Sequence, residues 1–198
     1  MRSTLVFSLA MIGLVACSEP PDVVSLSDDR YEILDGGDCV RDTITDLTWE
    51  RKIDEAGLRN WRNTYTWYDP DEDQDEIDYR GIENGGSCAG SACDTWHYPA
   101  AVNTSNLCGY SDWRLPTRDE LMSISDLRKA KLPPTVNLFA FPHTKNTEYW
   151  SGNDYSFRPD TAWAWNFQYG HDRVDWKKTP KAVRLVRGSA LALVPVTE

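Results

Sequence analysis

The apolar and polar positions between Tyr31 and Arg187 predict short strands interrupted by two short helices. Tyr31–Leu34, Cys39–Arg41 and Leu47–Glu50 read as strands, with turn residues at Asp35-Gly-Gly-Asp38 and Thr45-Asp46 between them. Alternation puts Leu47 and Trp49 on one face. Around Trp96, Tyr98, Ala101 and Val102 the pattern predicts a helix with Asp94 as N-cap. Thr117 followed by Glu120 is a capping box that opens a second helix, whose apolar stripe is Leu121, Ile124 and Leu127. Arg128, Lys129 and Lys131 suit the negative end of that helix dipole, and Pro133-Pro134 stops it. Further strands are predicted at Tyr149–Ser151, at Thr161–Gln168 with Trp163, Trp165 and Phe167 on one face, and at Arg173–Trp176. Ala182–Arg187 is apolar enough for a central strand. Residues 60–94 show no sustained period, so they predict a long excursion from a single domain spanning 31–188.

The ends read differently. Leu5 to Ala16 is an apolar run behind Arg2, predicting a signal peptide over residues 1–16. Leu14-Val-Ala-Cys17 resembles the bacterial lipoprotein lipobox, which implies acylation of Cys17. Ser18 in the next position implies the outer membrane. Residues 17–30, with Pro20-Pro21 and several acids, predict the lipidated cysteine and a tether, and 189–198 a tail. The chain is therefore expected to be exported and lipid-anchored, with the membrane as one partner.

Setting Cys17 aside leaves Cys39, Cys88, Cys93 and Cys108 in an oxidising compartment. Four cysteines allow three pairings. The Cys88–Cys93 segment closes on itself at low entropy cost, which leaves Cys39 with Cys108. The rival reading is tetrahedral zinc on Cys88, Cys93, His97 and Cys108, against which stand the exported setting and the lack of any CxxC.

Composition narrows the function. Among 198 residues, 31 acids against 21 Lys and Arg give a formal net charge of -10, so no global positive field exists to bind nucleic acid. Asp69, Asp71, Asp73 and Asp75 alternate as calcium-loop ligands do. However, Gln74 and Arg80 stand where an EF-hand needs Gly and Glu, so a solvated acidic loop is the expectation and no cofactor is assigned. His97, His143 and His171 lie in unrelated segments without a catalytic motif. Asp112, Arg114, Asp119 and Glu120 are read as turn, ion-pair and cap residues rather than as an acid/base cluster.

The aromatic content points instead to a binding module. Nine Trp and nine Tyr exceed what a core of this size needs, and such rings stack on sugar faces. Trp61, Tyr65, Trp67 and Tyr68 in the excursion are candidate ligand contacts, with Trp163, Trp165 and Trp176 nearer the sheet. Trp49, Trp113 and Trp150 are expected in the core. A second candidate is a basic strip of Arg173, Lys177, Lys178 and Lys181, continued by Arg184 and Arg187, which would suit a polyanion.

Three separated stretches carry a resemblance. Cys39-Val-Arg-Asp-Thr-Ile-Thr-Asp-Leu-Thr-Trp-Glu-Arg-Lys52, Cys108-Gly-Tyr-Ser-Asp-Trp-Arg-Leu-Pro-Thr-Arg-Asp-Glu-Leu121 and Ala182-Val-Arg-Leu-Val-Arg-Gly188 are similar to the Lcl C-terminal domain family, named for a bacterial collagen-like adhesin. Tyr149-Trp150-Ser151 and the strand from Trp163 to Phe167 fall where that family has them. Asp46 departs from its usual Gly, a substitution that a left-handed turn tolerates. The resemblance implies a compact α+β domain with a curved antiparallel sheet and short helices, similar to C-type-lectin-like and formylglycine-generating-enzyme-like folds. The namesake's attachment to sulfated glycosaminoglycans adds a sulfated polysaccharide to the expected ligands. The resulting expectation is a noncatalytic envelope lipoprotein that binds glycans. The alternative is a structural or assembly lipoprotein that binds another envelope protein.

Overall fold

A computed structural model of the chain describes residues 28–72 and 79–191. The expected signal peptide, Cys17 with its tether as far as Ser27, Asp73 and Asp75 of the acidic loop, and the tail from Ala192 lie outside the described residues.

The fold is α+β with two antiparallel sheets. A single 3-10 turn, Asp28–Arg30, leads into β1 (Tyr31–Leu34), β2 (Cys39–Asp42) and β3 (Leu47–Glu50), a meander whose far edge pairs with the short β7 (Val186–Arg187). The second sheet is β4 (Glu148–Asp154), β5 (Thr161–Asn166) and β6 (His171–Trp176) in sequence order. Helices α1 (His97–Thr104) and α2 (Arg118–Ser123) lie in the connection between the sheets.

Two sheets replace the one curved sheet that was expected, and the segment 181–187 is the reason. Ala182 bridges Tyr149 of β4 in parallel, whereas Val186 pairs with Trp49 of β3 and bridges Arg114. The run expected as one central strand therefore crosses from one sheet edge to the other, and only Val186–Arg187 is strand.

Strand β5 separates two apolar cores. Its alanines Ala162 and Ala164 enter a core with Tyr65, Trp67, Tyr98, Val102, Trp113 and Trp150. Trp165 of β5, with the following Phe167, enters another core with Trp49, Leu121, Ile124, Phe141 and Tyr149. Small side chains on one face let the indole of Trp150, from the adjacent strand, fill the space against the sheet. Trp163 shares the Trp165 face but lies half-buried, with its ring edge-on to Tyr155 and the Arg118 guanidinium 5.0 Å from its centroid.

Local signals fixed several elements. Asp46 adopts φ 58° in the β2–β3 turn, so aspartate serves where glycine is usual, and its carboxylate accepts from Arg41 at 2.7 Å. Both bonds of the Thr117/Glu120 capping box are present. Helix α2 nevertheless ends one turn sooner than the apolar stripe predicted. Ile124 leaves the helical region, and Asp126 donates its N–H to Thr135 and caps a separate 3-10 turn at Leu127–Lys129. Leu121 and Ile124 are buried, while Leu127 projects into solvent.

Candidate functional site

The excursion is bound into the domain by its backbone. Tyr65 and Lys181 exchange N–H···O bonds in both directions, Trp67 donates to Lys177, and Thr66 accepts from Thr95. This pairing turns Tyr65 and Trp67 inward, where each is buried: the Tyr65 ring stacks on Tyr98, its carbonyl accepts from the Trp150 indole, and the Trp67 indole donates to the Ser151 carbonyl. Both were expected as ligand contacts, and their rings are core instead. Trp61 is half-buried. The Arg62 guanidinium sits 4.3 Å from its centroid, His143 stacks beside it, and its N–H donates to Asp54. Of the four, Tyr68 remains half-exposed, with one face stacked on His97.

The start of α1 is built around Asp94. Its buried carboxylate accepts from the N–H groups of Trp96 and His97, as an N-cap does, and also from Asn84 N and from the His97 ring. Asp94 thereby holds the excursion, the helix start and the ring that backs Tyr68 in one place. The other imidazole nitrogen, Nε2, lies 3.9 Å from Glu83.

Tyr68 and Trp96 flank a groove of about 450 Å³ whose floor includes Trp67 and Trp113. On one side α1 presents Trp96, Pro99, Ala100 and Asn103, the i, i+3, i+4, i+7 stripe opposite its buried Tyr98 and Val102. Leu115, Gly152 and Asp69 also belong to the lining. The polar groups are held by the protein itself. Asn103 exchanges both amide bonds with the Trp113 backbone, and the Arg114 guanidinium makes a bidentate pair with Glu120 at 2.8 and 2.7 Å. The site therefore requires little ordering before a ligand enters. Trp96, which carries most of the exposed ring surface here, was read from sequence only as a helix residue. Its signal was the aromatic and small side chains on the helix face away from the apolar one.

The basic strip does not exist as a free surface. Lys177 is buried, with its ammonium 4.1 Å from the Trp67 ring, donating to Tyr79 O and lying 3.7 Å from Glu72. Burial holds its pKa below the usual lysine value and lifts that of Glu72. Lys181, also buried, pairs with Glu148 and with Asp175 at 2.6 Å. Arg173 pairs with Glu148 at 3.1 Å, Arg187 with Asp112 at 2.7 Å, and Arg184 is wholly interior. Lys178 is exposed beside Trp176, which also stacks under Arg158. Arg173 and Asp175 share one face of β6 and meet Glu148 and Lys181 there, so the cations are neutralised where they gather.

Sequence reasoning also missed a charged cluster within the interior. Glu50 at the end of β3 accepts from Tyr98 and from the Leu185 N–H, Lys52 donates to Tyr98 at 2.7 Å, and Arg184 donates to the Glu50 carbonyl at 2.7 Å and to Thr144 at 2.9 Å. Burial pushes the Lys52 ammonium down to about 8 despite Glu50 beside it. All members lie within the core, so the cluster orders the junction of β3, α1 and 182–187.

The cysteines are joined as Cys39–Cys108 and Cys88–Cys93, with Cα separations of 6.5 and 5.5 Å. Bonded sulfurs leave no thiolate set for zinc. Asp69 accepts from the Asp71 N–H, a local turn bond. Among the described residues no three His, Cys, Asp or Glu side chains group to hold a metal ion. Asp112, Arg114, Asp119 and Glu120 occupy ion pairs and the helix cap.

The arrangement is thus a two-sheet, disulfide-bonded α+β domain with an aromatic groove beside α1. Its class follows from sequence as well: the model of the Lcl C-terminal domain matches residues 38–187, and the chain belongs to that family. The match runs from the residue before Cys39 to the last residue of β7, so it takes in the groove and both disulfides. No curated protein and no solved structure matches the chain.

Proposed function

We propose that this protein is a noncatalytic, lipid-anchored domain of the bacterial cell envelope that binds an uncharged glycan in the groove between Tyr68 and Trp96. The observation that carries the reading is the exposed ring of Trp96 and the half-exposed ring of Tyr68 over a preformed groove whose volume falls in the ordinary range for ligand sites. Apolar sugar faces stack on such rings, and Asp69 in the lining offers an acceptor for hydroxyls. A sulfated chain is disfavoured. The net charge of -10 repels it, and the cations expected to meet it are spent on Glu72, Glu148, Asp175 and Asp112. The lipid anchor at Cys17 and the outer-membrane address rest on the lipobox-like sequence alone.

Binding to neutral and sulfated glycans at two salt concentrations tests this. Salt-insensitive binding to neutral chains is expected, and binding only to sulfated chains that weakens with salt would contradict it. An assembly role with an envelope protein draws on a different observation, the exposed Phe157 at the β4–β5 turn with the half-buried Tyr155 ring beside it.

A further inference from the structure

The most unusual surface lies away from the groove, on the segment that follows α2. From Leu127 to Thr147 the chain has no acidic residue, although acids make up 31 of its 198 residues, and the same run holds Arg128, Lys129, Lys131 and Lys145. It also exposes large apolar side chains: Leu132 at 82%, Phe139 at 62% and Leu127 at 61%, with Leu138 and with Met122 of α2 about half exposed. The segment folds back on itself. Asp126 N donates to Thr135 O at 2.6 Å and Lys129 Nζ to Val136 O at 3.0 Å, so its two limbs lie side by side.

The chain enters the domain at this same end. Arg30, in the first described turn, donates to the Ser123 carbonyl at 2.7 Å, and Tyr31 packs edge-on against Phe141 with ring centroids 5.2 Å apart. Eleven residue steps separate Cys17 from Asp28, a reach of at most about 40 Å. An acylated Cys17 would therefore hold this end of the domain close to the bilayer.

We propose that the surface formed by Met122, Leu127, Leu132, Leu138 and Phe139, with Lys131 among them, rests on the phospholipid surface to which the N-terminus is tethered. Asp126, the one acid between Met122 and Phe139, is held by the Arg128 guanidinium at 2.8 and 2.9 Å, which leaves Lys129 and Lys131 to set the charge of the surface. Apolar side chains with such interleaved cations are what an anionic headgroup layer accepts, and each large side chain that enters the acyl boundary adds to the binding. The charge argument is local: the rest of the chain is acidic and would be repelled, so the contact also orients the domain. None of the groove's residues takes part, and the proposal stands or falls independently of the ligand.

The test uses the full chain, recovered from an exporting bacterium with the N-terminus that the cell gives it, and mixed with vesicles of phosphatidylethanolamine and phosphatidylglycerol. A benzophenone side chain is installed at Leu132, at Phe139 or at Phe157, the last being 87% exposed at the turn between β4 and β5. All three positions are solvent-facing, so folding is retained. Lipid adducts are expected at Leu132 and Phe139 in at least about fivefold excess over Phe157, because the contact buries one surface and not the other. Equal yields at the three positions, no lipid adduct at Leu132 and Phe139, or adducts there to a second copy or another protein would each overturn the proposal.

Discussion

The ammonium of Lys52 lies 2.9 Å from the carboxylate of Glu50, and both side chains are shut away from water. Removing one partner of such a pair strands the other. Glu50→Gln is expected to cost about 3–5 kcal/mol in unfolding free energy, measured by urea denaturation. A cost under about 1 kcal/mol would mean that the pair is not closed to solvent.

The same pair has a signature in pH. Lys52 in the folded chain loses its proton at about 8, below the value near 10.4 of an unfolded lysine. Between those values the unfolded chain binds more protons, so stability should rise with pH from about 8 toward 10. The Lys52→Met variant should lose that rise, as read from denaturation midpoints across the window.

At the acid end the carboxylates of Asp42 and Glu120 act with the usual sign. Burial alone would raise both. Hydrogen bonds win, from Arg30 and Thr45 to Asp42 and from Arg114 and the Thr117 N–H to Glu120, and hold both below the usual carboxylate range. Their contribution is present above an unfolded pKa of about 4 and is lost as pH falls through the folded values. Glu120→Gln should be less stable at neutral pH and show a shallower acid loss than the unsubstituted chain.

The two disulfides should differ in weight. Cys39–Cys108 spans 69 positions and Cys88–Cys93 only 5. Loop entropy then predicts losses of about 4 and about 2 kcal/mol when each pair is replaced by serines, which thermal unfolding of the two double variants would rank. The reverse order would show that the short loop matters through the contacts it makes within the excursion.

What the sequence disclosed follows the range of each signal. Thr117 and Glu120, three residues apart, announced the helix cap, and Asp94 announced the other helix, because capping is decided within one turn. The cysteine pairs and the strands β1 to β6 were legible as well, whereas the run 182–187 read as one strand because its crossing between two sheet edges leaves no local mark. Tyr65 and Trp67 were not. Charged neighbours made them look like surface rings, and their burial depends on backbone bonds to Lys177 and Lys181 more than a hundred residues away. The lysines misled for the same reason, since each is paired with an acid from another element. Trp96 could have been found by asking what lies on the face of α1 opposite Tyr98 and Val102.

The aromatic positions divide the account cleanly. Trp67→Ala should destabilise the fold by about 3–5 kcal/mol, as loss of a buried indole does, whereas Trp96→Ala should leave the melting temperature nearly unchanged. The most direct measurement is therefore a calorimetric titration of the unsubstituted chain and of Trp96→Ala with whichever neutral oligosaccharide binds best. A loss of at least about fivefold in affinity with the fold intact is the predicted result, since an exposed stacking ring contributes on the order of 1 kcal/mol or more. Equal affinity in the two proteins would contradict the groove as the binding site.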